Sequence, residues 1–155
     1  MLQRIQTVYL LIIVALTIAT LFLPLAVLQY GGQLLSFDAT GLSTMTAQPE
    51  LIYPAWGLFI LTAVIAIIAL VTIFLFRKRV LQIRLCIFNA LLMLGFYALL
   101  AFFAWTIKNQ LGGGEVSMTV KIALSFPIIN LILDYLAIRN IGADEALVRS
   151  LDRLR

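Results

Sequence analysis

Four stretches of this chain, about 7–28, 55–76, 85–107 and 118–138, are apolar over the roughly 20 residues that a helix needs to cross a 30 Å hydrocarbon core. The first three contain no charged residue; the fourth includes Lys121, Pro127, Asn130 and Asp134. Across its 155 residues the chain is 63% hydrophobic and 12% charged, where soluble domains carry about 25% charged residues. So little polar surface cannot enclose a core in water. The pattern predicts an all-α membrane protein, a four-transmembrane-helix bundle forming one integral membrane domain over residues 1–155. Arg4 ahead of the first run fits a signal peptide, but the run exceeds the usual h-region and lacks a cleavage site, so an uncleaved first helix is expected.

Charge orients the bundle. Arg4 precedes the first span, Arg77, Lys78, Arg79 and Arg84 lie about the second connection, and Arg139, Arg149, Arg153 and Arg155 follow the fourth span. Nine of the eleven basic residues thus fall on one side, with Lys108 and Lys121 on the other. Short loops rich in Lys and Arg stay in the cytoplasm, which puts both termini there. Tyr30, Tyr53, Trp56 and Trp105 fall at the opposite ends, where amphipathic rings prefer the headgroup layer.

The longest loop, about 29–54, is extracytoplasmic in this topology. Gly31-Gly32 supports the positive φ angles of a tight turn, so Val27 to Tyr30 and Leu34 to Phe37 form either a small hairpin or an irregular loop. Gly112-Gly113-Gly114 reads as a flexible connection, with no Lys-Ser/Thr to make it a phosphate cradle.

Polar residues inside the spans carry the most information, because hydrocarbon penalises unsatisfied groups. Asn130 and Asp134 share a helix face at i, i+4. Asp134 lies roughly 6 Å from the inner boundary, about level with Asn89. Arg84 stands just outside the third span. The structural expectation is a polar clasp in which Asp134 pairs with Arg84 or Asn89 and locks helices three and four. The functional alternative is a protonatable carboxylate in an ion or proton pathway. Pro127 predicts a kink. Gly95, Ala98, Ala101 and Ala104, with Ala63, Ala66 and Ala69, permit close helix approach. Cys86 sits where palmitoylation or a lowered thiol pKa is conceivable, against the default of a buried inert thiol.

Residues 139–155 form a cytoplasmic tail. From Gly142 onward Asp144 can cap a short amphipathic helix with Leu147, Val148, Leu151 and Leu154 on one stripe. Glu145 and Arg149 make a favourable i, i+4 pair, and Asp152 reaches Arg155. Together with Arg77, Lys78 and Arg79, the residues Leu147, Arg149, Leu151, Arg153, Leu154 and Arg155 compose a surface for docking a protein or anionic lipid, the alternative being a helix that lies against the protein's own cytoplasmic loop.

Several chemistries lack their residues. With no histidine and the single Cys86, neither an intrachain disulfide nor a His/Cys metal site can be assembled. No nucleophile–base pair and no carboxylates paired at one depth suggest catalysis, and no cofactor is expected. The net charge of +4 is a matter of membrane topology, not of nucleic acid binding.

The segments Gln3-Arg4-Ile5-Gln6-Thr7-Val8-Tyr9-Leu10-Leu11, Leu81-Gln82-Ile83-Arg84-Leu85-Cys86-Ile87-Phe88-Asn89 and Asp144-Glu145-Ala146-Leu147-Val148-Arg149-Ser150 through Arg155 are similar to an uncharacterised family of small four-span inner-membrane proteins from Bacteroidota. The resemblance implies a bacterial inner membrane and a four-helix architecture, and no activity. All three segments fall on the cytoplasmic side. The expected function is therefore a non-enzymatic accessory or assembly subunit, docked on a larger membrane complex. The alternative is a small homo-oligomeric transporter or channel.

Overall fold

The computed structural model describes residues 2–112 and 115–154; Met1, Gly113, Gly114 and Arg155 lie outside them, as do most of the flexible connection expected at Gly112-Gly113-Gly114 and the pairing expected of Arg155. Helix α1 covers Leu2–Phe22. It stops before Pro24, whose ring disfavours the helical region for its predecessor. The chain then extends into β1 (Ala26–Tyr30), β2 (Gln33–Asp38), β3 (Gly41–Thr44) and β4 (Leu51–Pro54). Next come α2 (Trp56–Phe74) and α3 (Arg79–Gln110), β5 (Ser117–Val120), a 3₁₀ turn at Ile122–Ser125 and α4 (Phe126–Arg153).

All four helices are long and apolar enough to cross a membrane. Around the bundle α1 packs on α2, α2 on α3, α3 on α4, and α4 closes the ring on α1. Their outward faces are apolar: Ile60, Ile67, Leu91, Phe102 and Ile132 are all exposed. The inward faces hold Thr17, Thr62, Asn89, Asn130 and Asp134. A bundle folded for water places these two classes the other way round.

The chain is not all-α. Its five strands form one antiparallel sheet in the order β4-β3-β2-β1-β5. Of the two alternatives left open at Gly31-Gly32 the hairpin forms, with φ of 57° and 80° at the two glycines and Tyr30 opposite Gln33; those positive angles match the right-handed twist of the strands. At the next turn Asp38 Oδ1 accepts from the Thr40 and Gly41 amides at 2.9 and 3.2 Å and from the Thr40 hydroxyl. Gly41 has φ 140°, and a Cβ there would lie 2.2 Å from the Tyr53 carbonyl oxygen. Leu25, Ala26, Leu28, Leu35, Phe37 and Leu42 from the sheet region share one apolar core with Leu58, Phe96 and Ile107 of the helices. The Tyr53 and Phe103 rings meet edge-on, centroids 6.0 Å apart, joining β4 to α3.

Three boundaries therefore move. The third helix starts at Arg79 and not near Leu85, so Arg84 lies on α3 and not outside it. The first apolar run contains not one long helix but α1 followed by β1, because Pro24 interrupts it. The fourth run begins as β5, and its helix starts at Phe126. Pro127 consequently occupies the first turn of α4, where its missing N–H has no partner to lose, and no mid-helix kink follows. Nor does the tail start a separate helix. Instead, α4 continues unbroken to Arg153, 28 residues or roughly 42 Å at 1.5 Å per residue.

Candidate functional site: a polar interior and a basic cleft

Chain direction gives the bundle two different ends. The start of α1, the α2–α3 corner and the end of α4 share one, which is basic; the sheet and Lys108 share the other. Between them the interior carries polar side chains from every helix.

Nearest the sheet, Asn130 Nδ2 on α4 donates to Thr17 Oγ1 on α1 at 3.0 Å. Thr17 in turn donates to the Ile13 carbonyl at 2.6 Å. Thr20 and Thr62 do the same within their own helices, to Leu16 and Leu58 at 2.8 and 2.7 Å. These threonines therefore bring hydroxyls inside without leaving a donor unmet. They line, with Met93, Phe96, Pro127 and Asn130, a void of about 10 Å³, near the size that holds one water. Asn130 Oδ1 has no protein donor.

One helical turn further along α4 lies Asp134, fully buried, with no N–H or O–H donor at either carboxyl oxygen and the Cys86 thiol as a weak donor beside it. Cys86 of α3, 1% exposed, faces it. Asn89 is buried on the same helix, its Oδ1 also without a partner. Closer to the basic end, Gln82 Nε2 donates to the Thr72 carbonyl at 3.2 Å, tying α3 to α2, and Gln6 is buried on α1.

The clasp expected of Asp134 is thus not the contact that forms. Among the described residues neither Arg84 nor Asn89 bonds to it, because Arg84 is exposed and turned to the cleft at the basic end. The interhelical bond is made by Asn130 instead, and it joins α4 to α1. Thr17, Thr62, Gln6 and Gln82 were not singled out from the sequence. Their only signal there is a polar atom recurring in an otherwise apolar run. Cys86 is shielded, which fits an inert thiol and leaves no room for lipidation. Gly95, Ala98 and Ala101 face outward on α3, and Ala63 and Ala104 are half-buried, so of the small residues expected at helix contacts Ala66 and Ala69 of α2 are the buried ones.

At the basic end a cleft of about 770 Å³ opens between the α2–α3 corner and the last turns of α4. Phe76, Arg77, Lys78, Arg79, Val80, Leu81 and Arg84 form one wall, and Glu145, Val148 and Arg149 the other. Arg79 holds Asp144 at 3.4 Å and Arg149 holds Glu145 at 2.8 Å. Asp144 therefore anchors the α4 extension and does not cap a new helix. Beyond the last buried residue, Ile141, the extension leaves Leu147, Leu151 and Leu154 exposed, with Arg153 beside them.

A family model described as Domain of unknown function (DUF4293) matches residues 2–154, and the chain belongs to that family. No curated protein and no solved structure matches it.

Proposed function

We propose that this DUF4293 family member is a four-span protein of the bacterial inner membrane, both ends cytoplasmic, serving as a non-enzymatic accessory or assembly subunit of a larger membrane complex. The observation that carries the reading is the α4 extension. It continues past the bundle to Arg153 and presents Leu147, Leu151 and Leu154 at i, i+4 and i+7, a stripe exposed along its length. An exposed apolar stripe on a polar helix is the form in which helices dock into grooves. The orientation is supported by the basic residues gathered at that end of the bundle.

A native pull-down from bacterial membranes in mild detergent tests this. The expected result is a stoichiometric membrane partner that is lost in a Leu147→Ser/Leu151→Ser variant. Recovery of the chain alone removes the reading.

One observation favours a second reading, a homo-oligomeric transporter or channel: Asp134 is buried in the spans with no N–H or O–H donor for either oxygen. Intramembrane acids in that state commonly serve ion or proton movement. Proteoliposome flux abolished by Asp134→Asn supports it, and flux that persists takes Asp134 out of the mechanism.

A further inference from the structure

The basic cleft combines two properties that rarely share one wall. Its lining has five cations, Arg77, Lys78, Arg79, Arg84 and Arg149, and one carboxylate, Glu145. Glu145 is occupied by Arg149, and Arg79 by Asp144 from the neighbouring turn. Arg77, Lys78 and Arg84 have no carboxylate partner among the described residues. The guanidinium of Arg77 lies 5.8 Å from the Phe76 ring centroid, so the aromatic face holds it at the rim. The first turn of α3 opens onto the same space, and no side chain caps it, which adds the positive end of a helix dipole.

The second property is apolar. Phe76, Val80 and Leu81 are exposed by 54%, 44% and 39% on the same wall. They stand where α2 has just ended and α3 begins, at the level where a span passes into the headgroup layer. A soluble anion has no use for such a surface, whereas a phospholipid offers a phosphate to the cations and acyl chains to the apolar residues. The volume lies within the range of small-molecule sites, and basic pockets between spans on the cytoplasmic side are the form in which anionic headgroups are held.

We propose that this cleft binds one anionic phospholipid, with Arg77, Lys78 and Arg84 on its phosphate and Phe76, Val80 and Leu81 along its chains. The proposal rests on the membrane reading above. The lipid also braces the α4 extension, since Val148 and Arg149 form the opposite wall. It thereby links lipid occupancy to the presentation of Leu147 and Leu151.

The test uses the purified full chain in mild detergent, titrated separately with phosphatidylglycerol, phosphatidylcholine and inorganic phosphate, with bound lipid read by native mass spectrometry. Phosphatidylglycerol is expected to be retained at least tenfold more tightly than phosphatidylcholine. The Arg77→Gln/Lys78→Gln/Arg84→Gln variant is expected to lose that preference by tenfold or more. Arg4→Gln, which removes a cation of the same end outside the cleft, leaves it unchanged. Equal retention of the two lipids overturns the proposal, as does an unchanged preference in a triple variant whose helical circular dichroism matches wild type. Inorganic phosphate displacing the lipid at millimolar concentration overturns the lipid assignment in favour of a soluble phosphate ligand. Alkaline carbonate washing of native membranes separates the two levels of the argument. A chain that stays with the membranes yet shows no lipid preference refutes the cleft alone, and a chain that is washed off refutes the membrane reading itself.

Discussion

Asn130 of α4 donates to the hydroxyl of Thr17 on α1 across 3.0 Å, and both side chains are buried. Within a bundle whose outer faces are apolar, this bond fixes the rotation of α4 relative to α1. Interhelical hydrogen bonds of this kind contribute about 0.6 kcal/mol on average and up to about 2 kcal/mol. A double-mutant cycle of Thr17→Val and Asn130→Ala, followed by reversible unfolding in mixed micelles, is expected to give coupling in that range. A coupling of zero would mean that the two groups meet without consequence.

Asp134 is expected to be a site of stored cost. A buried carboxyl whose facing donor is a weak thiol is destabilising wherever it serves packing alone. Asp134→Asn should therefore raise the unfolding midpoint, as the free energy of unfolding rises by about 1 kcal/mol or more. A lower midpoint in the variant would show that the carboxyl makes a stabilising contact within the bundle.

Gly41 tests the sheet. Its φ of 140° and the 2.2 Å approach of a Cβ to the Tyr53 carbonyl leave no room for alanine. Gly41→Ala should cost about 3 kcal/mol, within the range for strained backbone combined with a steric clash, and should make the segment between β3 and β4 the first site of proteolysis. Wild-type resistance in the variant would exclude the β3–β4 pairing described here.

The Arg79–Asp144 pair is partly exposed and contributes below about 1 kcal/mol to global stability. Its effect is local. Arg79→Gln is expected to lower amide protection across 142–153 and leave 126–141 unchanged, as read by hydrogen exchange. Uniform protection along α4 in the variant would show that other contacts hold the extension.

The helices were legible in the sequence because four apolar runs have few other ways to satisfy their backbone. The β1–β2 hairpin was legible only as one of two alternatives: Gly31-Gly32 asks for the left-handed angles that the turn displays, but the flanking residues do not alternate cleanly enough to exclude an irregular loop. The other strands were not. The pairing of Ala26 with Val120 joins segments that are remote in sequence, and in both of them the apolar residues that make a strand also extend a span. The polar interior was half visible: Asn130 and Asp134 stand out in a span, whereas Thr17 and Thr62 satisfy their hydroxyls on their own helices and so announce no partner. The pairing of Asp144 with Arg79 depended on α4 running straight through Asp144, a residue whose type suggested the cap of a new helix.

The ladder between β1 and β5 has a mechanical consequence. Ala26 through Gln29 pair with Val120 through Ser117, and the Lys121 amide reaches the Leu25 carbonyl at 3.0 Å. The exit of the first helix and the entry to the last are thereby stitched into one seam. Like the spine of a bound book, that seam keeps α1 and α4 together at the sheet end, whereas at the basic end α4 is tied to α3 through the Arg79–Asp144 pair.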